Sequence, residues 1–112
     1  MADTTADFFE SLRVRGHEPL LEHTKGTLRF EIGEDGDVAH WLVSVDKGDV
    51  GVSHARRRAD CTVKAPKRVF DGLASGEINA NAAVLRGTVV VEGDAELLTR
   101  FQRILPAPKE TP

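Results

Sequence analysis

Apolar and polar residues alternate in five short stretches of this chain, at 26–32, 38–46, 50–53, 61–64 and 88–92. Alternation with a period of two predicts strands that bury one face and expose the other. Glycine-containing turns join the first three stretches into hairpins. Because every strand is one-faced, the pattern predicts an α+β fold with a five-stranded, mainly antiparallel sheet. Such a sheet is wet on one side and packs helices on the other.

Helical spacing of apolar residues predicts four helices around these strands. The predicted helices are 4–15, 66–75, 77–86 and 95–105. Thr4 or Thr5 is the expected cap of the first helix, and Pro66 suits the first turn of the second. The stretch 65–92 is therefore predicted to form helix, short helix and strand, with the rest of the chain arranged around it.

Length and composition indicate one domain, 1–112, with its core at about 5–105 and a loose tail at 106–112. A net charge of −3 and few aromatic residues argue against nucleic acid as a partner. No apolar run approaches the ~20 residues of a membrane span, and no signal-peptide pattern precedes the first helix. The single cysteine, Cys61, cannot form an internal disulfide, so we expect a cytoplasmic location.

No residue pattern in the chain predicts catalysis, a cofactor or a metal site. Cys61 falls on the apolar face of its strand, with no cationic neighbour in sequence to activate its thiol. The histidines share no metal-ligand spacing; they are His17, His23, His40 and His54. We therefore expect a non-enzymatic protein.

Two features allow more than one interpretation. Arg56, Arg57 and Arg58 form the densest charge cluster. They are either a solvated loop or a clamp for a carboxylate or a CoA phosphate. Lys64, Lys67 and Arg68 would add to the clamp if the loop folds back. The apolar helix faces fit a solid core as well as the wall of a cavity. The small side chains of Ala82 and Ala83 favour the cavity.

The order of short motifs along the chain resembles that of the sterol carrier protein type-two domain family over about 7–105. The resemblance is carried by Asp60-Cys61-Thr62-Val63, Phe70, Gly76, Ile78-Asn79, Ala83, Leu85, Gly87, Val89, Val91, Gly93-Asp94 and the hairpin 41–48. It implies a sheet covered by helices, an apolar tunnel between the layers, and binding of fatty acids, acyl-CoA or sterols without catalysis. Val84 and Thr88 depart from the aromatic residue and the lysine expected in that family, and their smaller side chains are expected to widen the tunnel or alter its mouth.

The resemblance implies a set of tunnel-lining residues on all the buried faces. They are Phe8, Leu12, Phe30, Trp41, Val43, Val45, Phe70, Leu73, Ile78, Ala82, Ala83, Leu85, Val89, Val91, Leu98, Phe101, Ile104 and Leu105. Arg56, Arg57 and Arg58 are the expected head-group contacts, and Trp41 is expected near bound ligand. The alternative is a ligand-free interaction domain that docks a partner enzyme through its last helix. An exposed apolar face at 97–105 would indicate that case.

Overall fold

The computed structural model of the protein describes residues 3–34 and 36–105; the predicted tail at 106–112 lies outside them. The helices are α1 (Thr4–Arg15), α2 (Lys67–Ser75), α3 (Ala80–Leu85) and α4 (Ala95–Phe101), with short 3₁₀ turns at Pro19–Leu21 and Gln102–Ile104. The strands are β1 (Lys25–Glu34), β2 (Asp37–Asp46), β3 (Asp49–Ser53), β4 (Cys61–Ala65) and β5 (Val90–Gly93). None of the described helices is both long enough and apolar enough to cross a bilayer.

The five strands form one mixed sheet in the order β3-β2-β1-β4-β5. Three of the four pairings are antiparallel, which confirms the predicted α+β class with a mainly antiparallel sheet. The central pair β1 and β4 is parallel, with Phe30 opposite Val63. This pairing places two inward-facing apolar residues side by side in the middle of the sheet.

The core lies between the sheet and the helices. Inward residues of β1, β2 and β4 are buried against Phe9 and Leu12 of α1, Phe70 and Leu73 of α2, and Phe101 of α4. The first two helices end in a way that their sequence explains: Gly16 and Gly76 follow α1 and α2 in the left-handed conformation that glycine adopts at low cost.

The helix starts differ in part from the predictions. Asp3, not Thr4 or Thr5, caps α1 by accepting a hydrogen bond from the backbone N–H of Ala6 at 3.1 Å. Thr5 is buried instead, and its N–H and hydroxyl donate to the Asp71 carboxylate of α2 at 3.1 and 2.5 Å. The threonine therefore ties two helices together, a long-range contact that local capping rules do not describe.

The connection 54–60 links strands that are not neighbours, because β2 and β1 lie between β3 and β4. At its start, the His54 Nδ1 is 2.9 Å from the carbonyl oxygen of His40; at its end, the Asp60 N–H donates to the Thr27 carbonyl at 3.0 Å. Leu42 faces away from the helix-side core and is still only 3% exposed. The outer face of the sheet is therefore not uniformly wet, which corrects the prediction from alternation.

Candidate functional site

A small apolar cavity lies between the helical layer and the sheet. Its lining residues come from β1, β4, the residue before β5, the helices α2, α3 and α4, and the last 3₁₀ turn with the residue after it: Phe30, Val63, Phe70, Leu73, Ala80, Val84, Val89, Leu98, Phe101, Gln102 and Leu105. The cavity volume is about 20 Å³. A single water needs roughly 10–15 Å³ on this scale, and an apolar cavity of this kind stays dry.

Helical spacing places the lining residues of α2, and those of α4, on the helix face that contacts the cavity. Phe70 and Leu73 are three apart on α2, and Leu98 and Phe101 are three apart on α4, so each pair shares one helix face. The floor is the parallel pair of β1 and β4. Ala80 and Val84, four apart on α3, close the remaining side.

Phenylalanine rings separate this cavity from the rest of the core. The Phe30 ring centroid lies 5.3 Å from that of Phe101 and 5.6 Å from that of Phe70, at angles typical of favourable aromatic pairs. Phe70 also stacks on Phe9 at 5.4 Å, and Phe9 stacks on Trp41 at 4.6 Å. Trp41 does face the helical layer, but Phe9 and Phe70 stand between it and the cavity.

The structure brings together only part of the expected lining set. Among the predicted residues, the cavity is lined by Phe30, Phe70, Leu73, Val89, Leu98, Phe101 and Leu105. Buried elsewhere in the core are Leu12, Val43, Val45 and Ala83; half-buried around it are Trp41, Ile78, Ala82 and Val91. Phe8 and Ile104 line a separate open groove between α1, α2 and the last 3₁₀ turn.

Leu85 is the clear error in the expected set, because its side chain is 88% exposed. The predicted helix 77–86 begins only at Ala80, where Asn79 caps it by accepting from the backbone N–H of Ala82. On this helix Ala80 and Val84, four residues apart, line the cavity, whereas Leu85, one residue further round the helix, lies in solvent.

Sequence reasoning missed Val63, Ala80, Val84 and Gln102 as lining residues. The alternation in β4 already placed Val63 on the buried face, and the four-residue spacing of Ala80 and Val84 would have identified that side of α3. Gln102 has no comparable signal in the sequence. Its amide Nε2 donates to the Asn81 side-chain oxygen at 3.3 Å and so connects the last 3₁₀ turn to α3.

The predicted basic clamp is not assembled at this cavity. Arg56, Arg57 and Arg58 are exposed, and none of them lines it. Lys64 pairs with Glu92 at 3.1 Å, and Lys67 pairs with Asp3 and Asp71 at 3.1 and 3.2 Å. Arg68 lines a different groove, beside Glu34 and Asp37. The solvated-loop interpretation of the three arginines fits this arrangement.

Cys61 is buried in the core between the sheet and the helices. Burial, followed by the charges of Asp94 and Asp60, raises the pKa of the Cys61 thiol and keeps it protonated. Within the described part of the chain, no group of three or more His, Cys, Asp and Glu side chains is placed to hold a metal ion. What the site offers is apolar surface.

The face of the last helix is packed rather than exposed. Leu97 and Phe101 are buried, and Leu98, Ile104 and Leu105 are half-buried against the core. The exposed face that would indicate a partner-docking domain is therefore not found at 97–105.

Residues 8–106 match the model of the SCP-2 sterol transfer family. The chain is 27% identical over 90 residues to the human protein "Sterol carrier protein 2"; the matched part is 78% of this chain and 16% of the human protein. The chain therefore spans about a sixth of the length of that relative.

Solved structures share the fold. The solution structure of sterol carrier protein domain 2 of Helicoverpa armigera has a TM-score of 0.73 at 21% identity, covering 89% of this chain and 86% of that one. Sterol Carrier Protein-2 of Aedes aegypti, solved with palmitate, has a TM-score of 0.70 at 18% identity, covering 92% and 94%. Since the family model matches nearly the whole chain, this protein belongs to the SCP-2 sterol transfer family.

Proposed function

We propose that the protein binds a lipid with a hydrocarbon chain, such as a fatty acid, in the apolar cavity between its helices and its sheet, and carries it without chemical change. The observation that supports this proposal is the cavity wall, in which Gln102 is the one polar side chain among the described lining residues. The Aedes aegypti protein of the same fold was solved with palmitate, which makes a sixteen-carbon acid the natural probe.

Burial of the hydrocarbon is the proposed driving force. Fifteen methylenes contribute roughly 12 kcal/mol at ~0.8 kcal/mol each. Association costs at least about 4 kcal/mol. The remaining ~8 kcal/mol corresponds to a Kd of about 1 μM before any cost of opening the cavity.

The cavity has to enlarge before it holds an acyl chain, since about 20 Å³ accommodates little more than one water. We infer that α3 moves outward. It buries a single side chain, Ala83, whereas α2 buries Val69, Phe70 and Leu73. Segments with little buried apolar surface open at the lowest free energy.

Titration with palmitate, followed by calorimetry and native mass spectrometry, tests the proposal. Val84→Trp places a large ring at the α3 side of the cavity and should weaken palmitate binding by at least about tenfold, or ~1.4 kcal/mol. Leu85→Trp is the matched control, because Leu85, the residue after Val84 on α3, does not line the cavity. Equal affinity of both variants and the wild type would place the lipid elsewhere, and a wild type that binds no acyl chain would refute the proposal.

A further inference from the structure

The two edge strands of the sheet differ in how the rest of the chain covers them. The first half of β3 is covered by the connection after α1. There the Val50 N–H donates to the Gly16 carbonyl at 2.9 Å, and the Glu18 N–H donates to a β3-side turn carbonyl at 2.7 Å. At the opposite edge, β5 pairs with β4 alone among the described strands. An unpaired edge strand is a template for a further strand, so the sheet can be extended at β5.

One hydrogen bond determines which backbone groups of β5 face the free edge. The Asp94 N–H donates to the Asp60 carbonyl at 2.9 Å, immediately beyond the last paired residues of β4 and β5. In an antiparallel ladder, pairs that exchange hydrogen bonds alternate with pairs that do not. Val90 and Glu92 therefore bond to β4, whereas the N–H and C=O of Val91 point to the free edge. Within residues 3–34 and 36–105, no other backbone hydrogen bond reaches these two groups.

The side chains of this edge also suit pairing with another strand. Residues 88–91 read Thr-Val-Val-Val, all β-branched, and lack the lysine or proline that commonly protects an edge strand. Val91 lies on the inner face and packs against the core. Val90 and Glu92 lie on the outer face, where Val90 is 47% exposed. Glu92 is the one charged residue of the strand.

We propose that β5 pairs antiparallel with β5 of a second copy of this chain, about a two-fold axis at Val91. Each Val91 donates its N–H to the Val91 carbonyl of the other copy, and the two sheets become one sheet of ten strands, five from each copy.

The charge pattern of β5 is the reason for choosing a second copy as the partner. Pairing about Val91 places Val90 of one copy opposite Glu92 of the other, twice in each dimer. The two acidic side chains therefore never face each other, and the exposed valines gain cover. An axis one residue later, at Glu92, would place the two glutamates directly opposite, which is unfavourable.

The dimer is weak because its contact is small. A strand of four residues buries less than the ~1,200 Å² at the lower end of standard interfaces, so we expect a Kd on the order of 100 μM. The dimer does not depend on the proposed lipid binding, since neither Val90 nor Val91 lines the cavity.

Sedimentation equilibrium of charge variants, from about 10 μM to about 1 mM protein, tests the pairing. Val90→Glu should weaken the dimer by about tenfold, because each dimer then contains two pairs of facing acids. Val90→Lys should strengthen it by about threefold or more, because each new lysine faces Glu92 of the second copy. Lys64, on the other side of Val90 in β4, acts on monomer and dimer alike.

Val14→Glu and Val14→Lys are the matched controls. Val14 on α1 is 72% exposed, so these variants carry the same charges away from the edge and should leave the Kd within about twofold. Hydrogen exchange gives a second readout. The Val91 amide should exchange roughly fourfold more slowly at the highest concentration than at the lowest, whereas the Val90 amide, bonded within the sheet, should be protected at both.

Each other outcome overturns the pairing. A wild type that is monomeric at about 1 mM would show that the edge stays unpaired. A dimer that neither Val90 variant changes would lie on another surface. A dimer that both Val90→Glu and Val90→Lys weaken, while the Val14 variants do not, would place Val90 opposite its own copy and refute the axis at Val91. A Val91 amide whose exchange is independent of concentration would refute the hydrogen bonds between the two copies.

Discussion

Replacement of Phe101 by alanine measures whether the cavity is a ligand site. Phe101 is 1% exposed, lines the cavity, and packs its ring 5.3 Å from that of Phe30 and 6.2 Å from that of Phe8. A Phe-to-Ala change in a core costs about 3–5 kcal/mol. For a domain of this size, at about 4 °C per kcal/mol, the ligand-free protein should melt about 12–20 °C lower.

Palmitate should restore part of that loss. A ligand at a hundredfold excess over its Kd adds about 2.7 kcal/mol to the stability of any protein that binds it. In Phe101→Ala, removal of the ring enlarges the cavity. The acyl chain then fills this space with a smaller displacement of the helices. The variant should therefore bind palmitate more tightly than the wild type and gain more stability from it.

Phe9→Ala is the matched control. Phe9 is 0% exposed and packs its ring against Trp41 and Phe70, but it does not line the cavity. It should lose a similar amount of stability and show no extra gain from palmitate. Chemical denaturation with and without palmitate gives both quantities, and Phe→Leu changes at the same positions serve if the alanine variants do not fold. An equal gain in the two variants would refute the assignment of the ligand to this cavity.

The remaining predictions concern the fold. Thr5→Val should cost about 1.5–3 kcal/mol in urea unfolding, because a buried hydrogen bond to a charged carboxylate is lost, while Thr5→Ser should cost less. Burial acts to raise the pKa of Asp71, but bonds from Thr5 and Lys67 outweigh it and hold that pKa below its usual value. The stability it contributes is present above the unfolded pKa of about 3.9 and is lost as the pH falls through the lower folded value, so Asp71→Asn should flatten the acid side of a stability profile. Gly93→Ala should destabilise the protein by more than Gly87→Ala. Both glycines have positive φ, but only at Gly93 would an added Cβ meet backbone, at 2.4 Å from the Asp60 carbonyl oxygen. Thermal melts compare the two variants, and equal losses of stability would contradict the argument.

The strands were predictable because their signal is local. In β1 and β2 the alternation of apolar and polar residues and the glycine turns determine both the boundaries and the inward face, and the observed strands differ from the predicted ones by only a few residues. The inward directions of Phe30 and Val63 follow from the same pattern. The parallel pairing of β1 with β4 does not, because one-faced strands alternate in the same way whichever neighbour they have.

The site was predictable only where a helix face was unambiguous. On α2 and α4, Phe70, Leu73, Leu98 and Phe101 have bulky apolar neighbours at helical spacing, and all four line the cavity. On α3 the predicted inward face relied on Ile78, which lies before the observed helix, so Leu85, seven residues later, was assigned to the wrong side. Whether a set of apolar residues meets at a void or in solid packing depends on the final positions of the elements, which no local pattern encodes.

The small cavity and the exposed surface beside it have a common physical origin. A large empty apolar cavity would lose van der Waals contacts on every wall, so a ligand-free protein packs its helices inward. A ligand must then displace a helix before it binds. The least expensive element to displace is the one that buries the least apolar surface. Displacing α4 would expose Leu97 and Phe101, at ~1.5–3 kcal/mol each, whereas the only fully buried side chain of α3 is that of Ala83. The same lack of buried contacts leaves Leu85 exposed and Val84 partly exposed, so the segment that opens most cheaply is also the one that presents hydrocarbon to solvent.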